Sequence, residues 1–219
     1  QIALMLQCTA YNNTFVHRGF SFESALLDAM MLLQEEEADD VLIGGLDEIT
    51  DMTHRLLTRF GLYKRRPVSN LDLFLSGSKG TIAGEGAAFF LLTGKPSVND
   101  HARLEGITTF YRPENIQEIE HHILSFLKLH QIDLKDIDLV ITGRNGDEKG
   151  DEIYNQLGRS VFSQKESINY KHLCGEYPTS TAFALWLAVN SIRNKIERIL
   201  IYNHYQQTEH SLLLISACR

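Results

Sequence analysis

Cysteine is scarce in this sequence: Cys8, Cys174 and Cys218 are the three among 219 residues, and they have no paired spacing. That excludes a disulfide framework and a zinc pattern, and leaves reduced thiols in a cytoplasmic protein as the expectation. Cys8 and Cys174 read as small core residues, Cys174 just ahead of a helix. No apolar run is long enough to span a bilayer and no signal peptide is recognisable, so membrane insertion is not expected. Positive charge is also in deficit, with 21 Lys and Arg against 28 Asp and Glu for a formal net charge of −7. A general nucleic-acid surface needs clustered cations, and the one basic cluster, Lys64, Arg65 and Arg66, reads as a solvated loop. The adjacent His121 and His122 divide two faces of one helix and make no metal pair. Neither a cofactor nor a metal is expected.

What is present is a core-forming composition, 43% hydrophobic against 22% charged, enough for a large α/β domain. The chain opens at Gln1 without a methionine, inside the apolar segment 2–6, which reads as a helix end or a short buried piece and suggests a truncated product. Tyr11, Asn12 and Asn13 form a turn into residues 14–17, a β-branched and aromatic run that predicts a strand end. Gly19 permits a tight turn, and Ser21 is placed to cap a helix whose apolar residues Phe22, Ala25, Leu26, Ala29, Met30, Leu32 and Leu33 recur at helical spacing. Glu35, Glu36 and Glu37 oppose the negative end of the helix dipole and mark a solvated exit. Residues 40–45 read as a buried strand ending in two glycines. The stretch 14–48 therefore predicts a βαβ unit, with ligands expected at the carboxyl ends of its strands.

An amphipathic helix follows over 52–63, with Leu56, Leu57 and Phe60 on one side and Gly61 closing it. Residues 64–78 read as an excursion over the surface, and 81–93 as a glycine turn entering a buried strand. After a junction at 96–101 the pattern alternates cleanly. Strands are predicted at 104–111, 137–142, 168–171, 199–204 and 211–217, and helices at 116–130, 152–161 and 178–192. The last helix is apolar nearly all round with Trp186 at its centre, so it is expected between layers. Such alternation predicts a sheet covered on both faces.

Three motifs in order carry a family resemblance: Asp28-Ala29, then Ile43-Gly44-Gly45-Leu46-Asp47-Glu48, then Gly84-Glu85-Gly86-Ala87 entering a strand. Together they resemble the β-ketoacyl synthases, condensing enzymes of the thiolase-like superfamily. The resemblance implies a layered α/β/α thiolase-like fold. Residues 1–98 would be the remainder of an N-terminal half lacking its opening strands and helix, and 99–219 a complete C-terminal half. It places the family's nucleophilic cysteine at about Gly19, with Phe20 and Ser21 adjacent, and no cysteine stands there. The first histidine loop corresponds to a segment in which Gly150-Asp151 is kept while Arg144 and Asn145 stand upstream without a histidine. The second keeps Lys171 and Gly175 and has Glu176 in the histidine position.

A decarboxylating condensation needs a thiolate to carry the acyl group and imidazoles or amides aimed at the developing negative charge. All three positions depart here from the family pattern on one retained scaffold, which resembles the chain-length factors, including the paired ketosynthase-like proteins of aryl polyene and flexirubin-type pigment clusters. The resemblance implies a non-catalytic subunit in a heterodimer with an active β-ketoacyl synthase, working with an acyl carrier protein in fatty-acid or polyene biosynthesis. In the family the strand near 14–17 pairs across the dimer axis. Thr14, Phe15, His17, Arg18, Phe20 and Phe22 are therefore the expected contacts with a partner or an acyl tunnel. Two other readings stay open: a divergent condensing enzyme or thioester hydrolase using Ser21, Cys174 or Glu176, and a homodimeric acyl-binding module. Ser21 reads first as a helix cap, and Glu176 as a structural ion pair among Lys171, Arg144 and Asn145.

Overall fold

The structure is a computed structural model that describes residues 2–75, 77–193 and 196–218. Its centre is a five-stranded mixed sheet in the order β3-β7-β6-β4-β5, formed by β3 (Arg103–Tyr111), β4 (Leu139–Thr142), β5 (Glu166–Asn169), β6 (Arg198–Tyr205) and β7 (Glu209–Ser216). β4 runs parallel to β5 and β6, while β7 is antiparallel to both β6 and β3. Successive side chains of a strand point to opposite faces. Leu139, Ile141, Ile199, Ile201, Leu213 and Ile215 accordingly enter one core, and Val140, Leu200, Tyr202, Leu212 and Leu214 the other. The first core is closed by α2 (Ser21–Gln34) and α7 (Thr181–Ile192), the second by α4 (Ile116–Leu129) and α5 (Glu148–Arg159). Burial on both sides is why the central strands read as unbroken apolar runs.

A second, two-stranded sheet pairs β1 (Asp40–Asp47) antiparallel to β2 (Gly86–Thr93). Its inner face, with Val41, Ile43, Ala88, Phe90 and Leu92, joins the first core. Gly45 is where this sheet meets α7: a Cβ there would stand 2.9 Å from Cβ of Thr179 and 3.1 Å from that of Ala182. Two residues on, Asp47 accepts hydrogen bonds from the backbone N–H and the hydroxyl of Thr179, at 2.8 and 2.6 Å. The Gly-Gly-x-Asp end of β1 thus ties the small sheet to the start of α7. Among the described residues no helix is long and apolar enough to cross a membrane.

Several expectations are corrected. Residues 14–17 form no strand: Val16 is 92% exposed and among the described residues no strand pairs with the run, without which β-propensity has nothing to act on. The predicted βαβ unit is therefore absent, because β1 pairs antiparallel with β2. β1 and β2 are also buried on one face only, with Leu42, Leu46, Phe89 and Leu91 outward. Segment 2–6 contains α1 (Ile2–Met5), a helix with no buried residue, and Cys8 beyond it is exposed. α3 (Asp51–Phe60) ends at Gly61 as expected, in the left-handed region, yet Leu56 and Phe60 stay exposed. α5 starts four residues early because Asp147 caps it, accepting from Gly150 N–H at 2.8 Å. Lys171, assigned to a strand by the sequence, instead opens the short helix α6 (Lys171–Cys174). Trp186 is 49% exposed on the outer side of α7, tilted against Phe183, while Ala184, Leu185 and Ala188 face the core.

Candidate functional site

The site gathers around the carboxyl end of β6, its turn into β7, and the loop that follows β4. A one-turn 3-10 helix, Arg18–Phe20, precedes α2 and brings Gly19 against this turn. Gly19 N–H donates to the Glu209 Oε2 at 2.8 Å, in a buried bond. A Cβ on residue 19 would overlap Cβ of Tyr205 and stand 2.8 Å from the same Glu209 oxygen. Tyr205 and Glu209 are paired across β6 and β7, so a rigid hairpin holds both against the glycine. No side chain fits at position 19 unless this hairpin shifts.

Ser21, expected to cap α2, does something else. Its hydroxyl accepts from His17 N–H and donates to the Arg18 carbonyl, both at 2.8 Å, and Phe20 is the N-cap residue. The hydroxyl closes the 3-10 turn and is not left as a nucleophile beside a base. His17 and Arg18 are exposed, and His17 meets Phe20 edge-on at 5.6 Å. Thr14 is exposed and Phe15 half-buried. Phe22 is fully buried against Phe90 and presents no surface to a partner.

Glu176 and Lys171 form a buried ion pair. The Lys171 ammonium reaches both Glu176 oxygens, at 2.8 and 2.7 Å, and Asn145 Nδ2 donates to Oε2 at 2.6 Å. Glu176 is 6% exposed and Lys171 1%, so each charge depends on the other. The backbone around the pair is tightly placed. Gly175 lies in the left-handed region, and a Cβ on Gly84 would stand 2.7 Å from its Cα, so two glycines let the turn before β2 touch the Glu176 segment. Glu176 then bonds backbone to backbone with Ile82 and Gly84.

Arg144, expected in this cluster, lies apart from it. Its Nε donates to Asp151 Oδ2 at 3.0 Å, and the guanidinium sits 5.3 Å from the Phe74 ring centre. Asp151 also accepts the backbone N–H groups of Asn145 and Gly146, at 2.9 and 3.0 Å. The Gly150-Asp151 pair thus shapes the loop through its carboxylate. Burial raises the Asp151 pKa, against the lowering effect of the Asn145 amide and of Arg144.

Of these residues, Asn145, Glu176 and Tyr205 border a cavity of about 620 Å³ whose wall also includes Leu57, Phe60, Tyr63 and Lys79. The Tyr63 hydroxyl is pushed up to about 12 by burial, with help from the carboxylates of Glu176 and Asp47, so it stays a neutral donor. Sequence reasoning missed His204, a cavity-wall residue on β6. Its Nδ1 accepts Gln207 N–H at 3.3 Å, which leaves Nε2 to donate to the Gly150 carbonyl at 3.1 Å. Burial holds it neutral, far below the usual imidazole range. The available signal was positional: Asn203, His204 and Tyr205 interrupt an apolar strand at its carboxyl end, where α/β sheets place ligands. Cys174, the thiol nearest the pair in sequence, is pushed up to about 12 by burial, only partly offset by Lys171. Among the described residues no cluster of metal-ligating side chains is present.

No family model matches the chain, and no curated protein matches it significantly. Solved structures do match. A β-ketoacyl synthase from Burkholderia phymatum superposes with a TM-score of 0.75 at 15% identity, over 92% of this chain and 60% of that one. The ishigamide ketosynthase/chain length factor gives 0.80 at 15% identity, over all of this chain and 64% of the other. A type II polyketide synthase acyl-carrier protein in complex with its ketosynthase gives 0.73 at 18% identity, over 100% and 63%. The fold is the thiolase-like fold of the ketosynthases, and the chain spans 60 to 64% of the length of these three structures.

Proposed function

We propose that this chain is a ketosynthase-like subunit without a nucleophile, of the chain-length-factor kind, which pairs in the cytoplasm with an active β-ketoacyl synthase served by an acyl carrier protein. The observation that carries the reading is the filled space at Gly19. Acyl transfer needs a nucleophilic side chain at the head of α2 and free backbone N–H groups to receive the oxyanion. Here the side chain is absent, its volume is taken by Tyr205, and the N–H is already bonded to a carboxylate. A negative charge developing beside Glu209 would be repelled rather than stabilised.

The second catalytic region supports the same reading. Glu176 is held by Lys171 on both oxygens and by Asn145 on one, and His204 has both ring nitrogens engaged. Ser21 is locked in its turn and the Cys174 thiol is held protonated, so neither favours a divergent condensing enzyme or a thioester hydrolase. The partner kinds follow from relatives: one similar structure pairs a ketosynthase with a chain length factor, and another holds an acyl carrier protein. Fatty-acid or polyene-type assembly is the setting this implies.

The test is intact mass spectrometry after incubation with an acyl carrier protein thioester, beside an active ketosynthase as control, followed by co-purification with that synthase. The expected result is an adduct on the control alone and a heteromeric complex. An acyl adduct on this chain overturns the reading, and mapping it would choose among Ser21, Cys8 and Cys174. Ligand affinity with self-association and no heteromer would instead favour the homodimeric acyl-binding module.

A further inference from the structure

Beyond the carboxyl ends of the parallel strands β4 and β5 lies a second cavity, of about 310 Å³, separate from the one at Glu176. Its wall includes Thr142, Arg144, Asn155, Arg159, Ser167 and Asn169. Two guanidiniums, two carboxamides and the hydroxyls of Thr142, Ser167 and Tyr154 belong to the wall, and no carboxylate does. From this juxtaposition we propose a binding site for a small phosphate-bearing molecule, a function the reading above neither requires nor explains.

The donors are arranged and partly idle. Thr142, itself buried, donates to Asn169 Oδ1 at 2.6 Å, which fixes the carboxamide and leaves its Nδ2 as the outward donor. The Arg144 guanidinium spends Nε on Asp151 and is braced by the Phe74 ring, so its two terminal nitrogens remain in no described hydrogen bond. Arg159 has only a 4.0 Å contact with Glu152 and is largely exposed, free to fold over a ligand. Its neighbour on α5, Gly158, contributes open space: a Cβ there would meet nothing within 4 Å. A planar fork of donors on each of two arginines suits an oxyanion bound in bidentate fashion.

The donor geometry, not a surplus of charge, suits an anion. Asp151 offsets Arg144, Glu152 lies 4.0 Å from Arg159, and the last turn of α5 adds roughly half a negative charge from its free carbonyls. The ligand ends of two parallel strands supply the place. The volume exceeds that of a bare phosphate, so a monoester with a small organic body fits the space.

The experiment is a thermal-shift and calorimetric titration of the whole chain with inorganic phosphate and with glycerol 3-phosphate, using sodium chloride at matched ionic strength as reference. Saturable binding is expected, weakened about tenfold or more in Arg159→Gln and in Ser167→Asp, and unchanged in Lys128→Gln, an exposed cation elsewhere. Ser167 is exposed on the edge strand β5, so its replacement leaves the core intact. Tighter binding of the monoester assigns the rest of the cavity to an organic body, and equal binding assigns it to free phosphate. Both support the site. No saturable response beyond the chloride reference, or equal binding by all variants, overturns it.

Discussion

Gly19 N–H and the Glu209 carboxylate meet at 2.8 Å although 190 positions separate them in sequence. The bond joins the head of α2 to the β6–β7 hairpin at the place where the resemblance puts a reactive thiol. Replacing Gly19 by Ala or Cys is expected to destabilise the fold by about 1–3 kcal/mol through overpacking against Tyr205. Gly19→Cys is also expected to gain no acyl adduct. Denaturant unfolding and intact mass spectrometry check the two halves of this prediction, and a stable, acylated Gly19→Cys protein would refute it.

Removing the Glu209 acceptor tests the same contact from the other side. Glu209→Leu strands a buried N–H and is expected to cost about 1–3 kcal/mol, whereas Glu209→Gln keeps an acceptor oxygen and costs less. Urea unfolding of both variants gives the comparison.

The Lys171–Glu176 pair predicts strong non-additivity. Lys171→Met leaves a buried carboxylate alone and is expected to cost about 3–5 kcal/mol. Adding Glu176→Leu should return most of that loss, because the pair's charges are buried for each other's sake. A double-mutant cycle with no recovery would mean that Asn145 and the surrounding backbone, not Lys171, hold the carboxylate.

Stability should respond to pH through buried groups that act in opposite directions. Glu23 is buried, with its Oε1 accepting from Ser211, and burial raises its pKa from 4.5 to about 7. The folded state therefore holds a proton that the unfolded chain has lost between those values, and stability falls by roughly 3 kcal/mol as pH rises from 4.5 to 7. His210 runs the other way. Burial lowers its pKa from 6.5 to about 4, so it contributes stability that is lost as pH falls through that window. His204, which burial also holds neutral far below the usual imidazole range, acts with His210, and Asp151, raised by burial, acts with Glu23, so the wild-type slope is the balance of the two sets. Glu23→Gln removes one arm, and unfolding free energies measured from pH 4.5 to 8 should then rise with pH.

Thiol reactivity should split by burial. Cys8 and Cys218 are exposed and should react with a disulfide reagent at once, while Cys174, half-buried and with its thiol pushed up to about 12, should react only on unfolding. A fast third equivalent in the native protein would contradict the placement of Cys174.

Much of the fold was legible because local signals agreed with the global arrangement. In the second half, apolar runs of strand length alternated with helical periodicity, and β3, α4, β6 and β7 lie within a residue or two of where the pattern put them. Legibility failed where the outcome depended on a neighbour. Residues 14–17 have strand propensity and no partner strand among the described residues, and Trp186 sits half exposed on the outer side of an apolar helix. At the site, the Lys171–Glu176 spacing was readable as an ion pair because both residues lie in one short segment. Arg144 was assigned to the wrong carboxylate because Asp151, four residues into α5, turns back toward it.

The sequence by itself determined the α/β alternation, a glycine with no cysteine near it at position 19 and a carboxylate at position 176, since these are matters of residue type and spacing. Only the tertiary structure decided what surrounds those positions. Tyr205 and Glu209 reach Gly19, and His204 reaches the cavity, through the pairing of β6 with β7 and the packing of that hairpin on α2. Contacts across nearly two hundred residues are set by how cores close, and no local pattern encodes them.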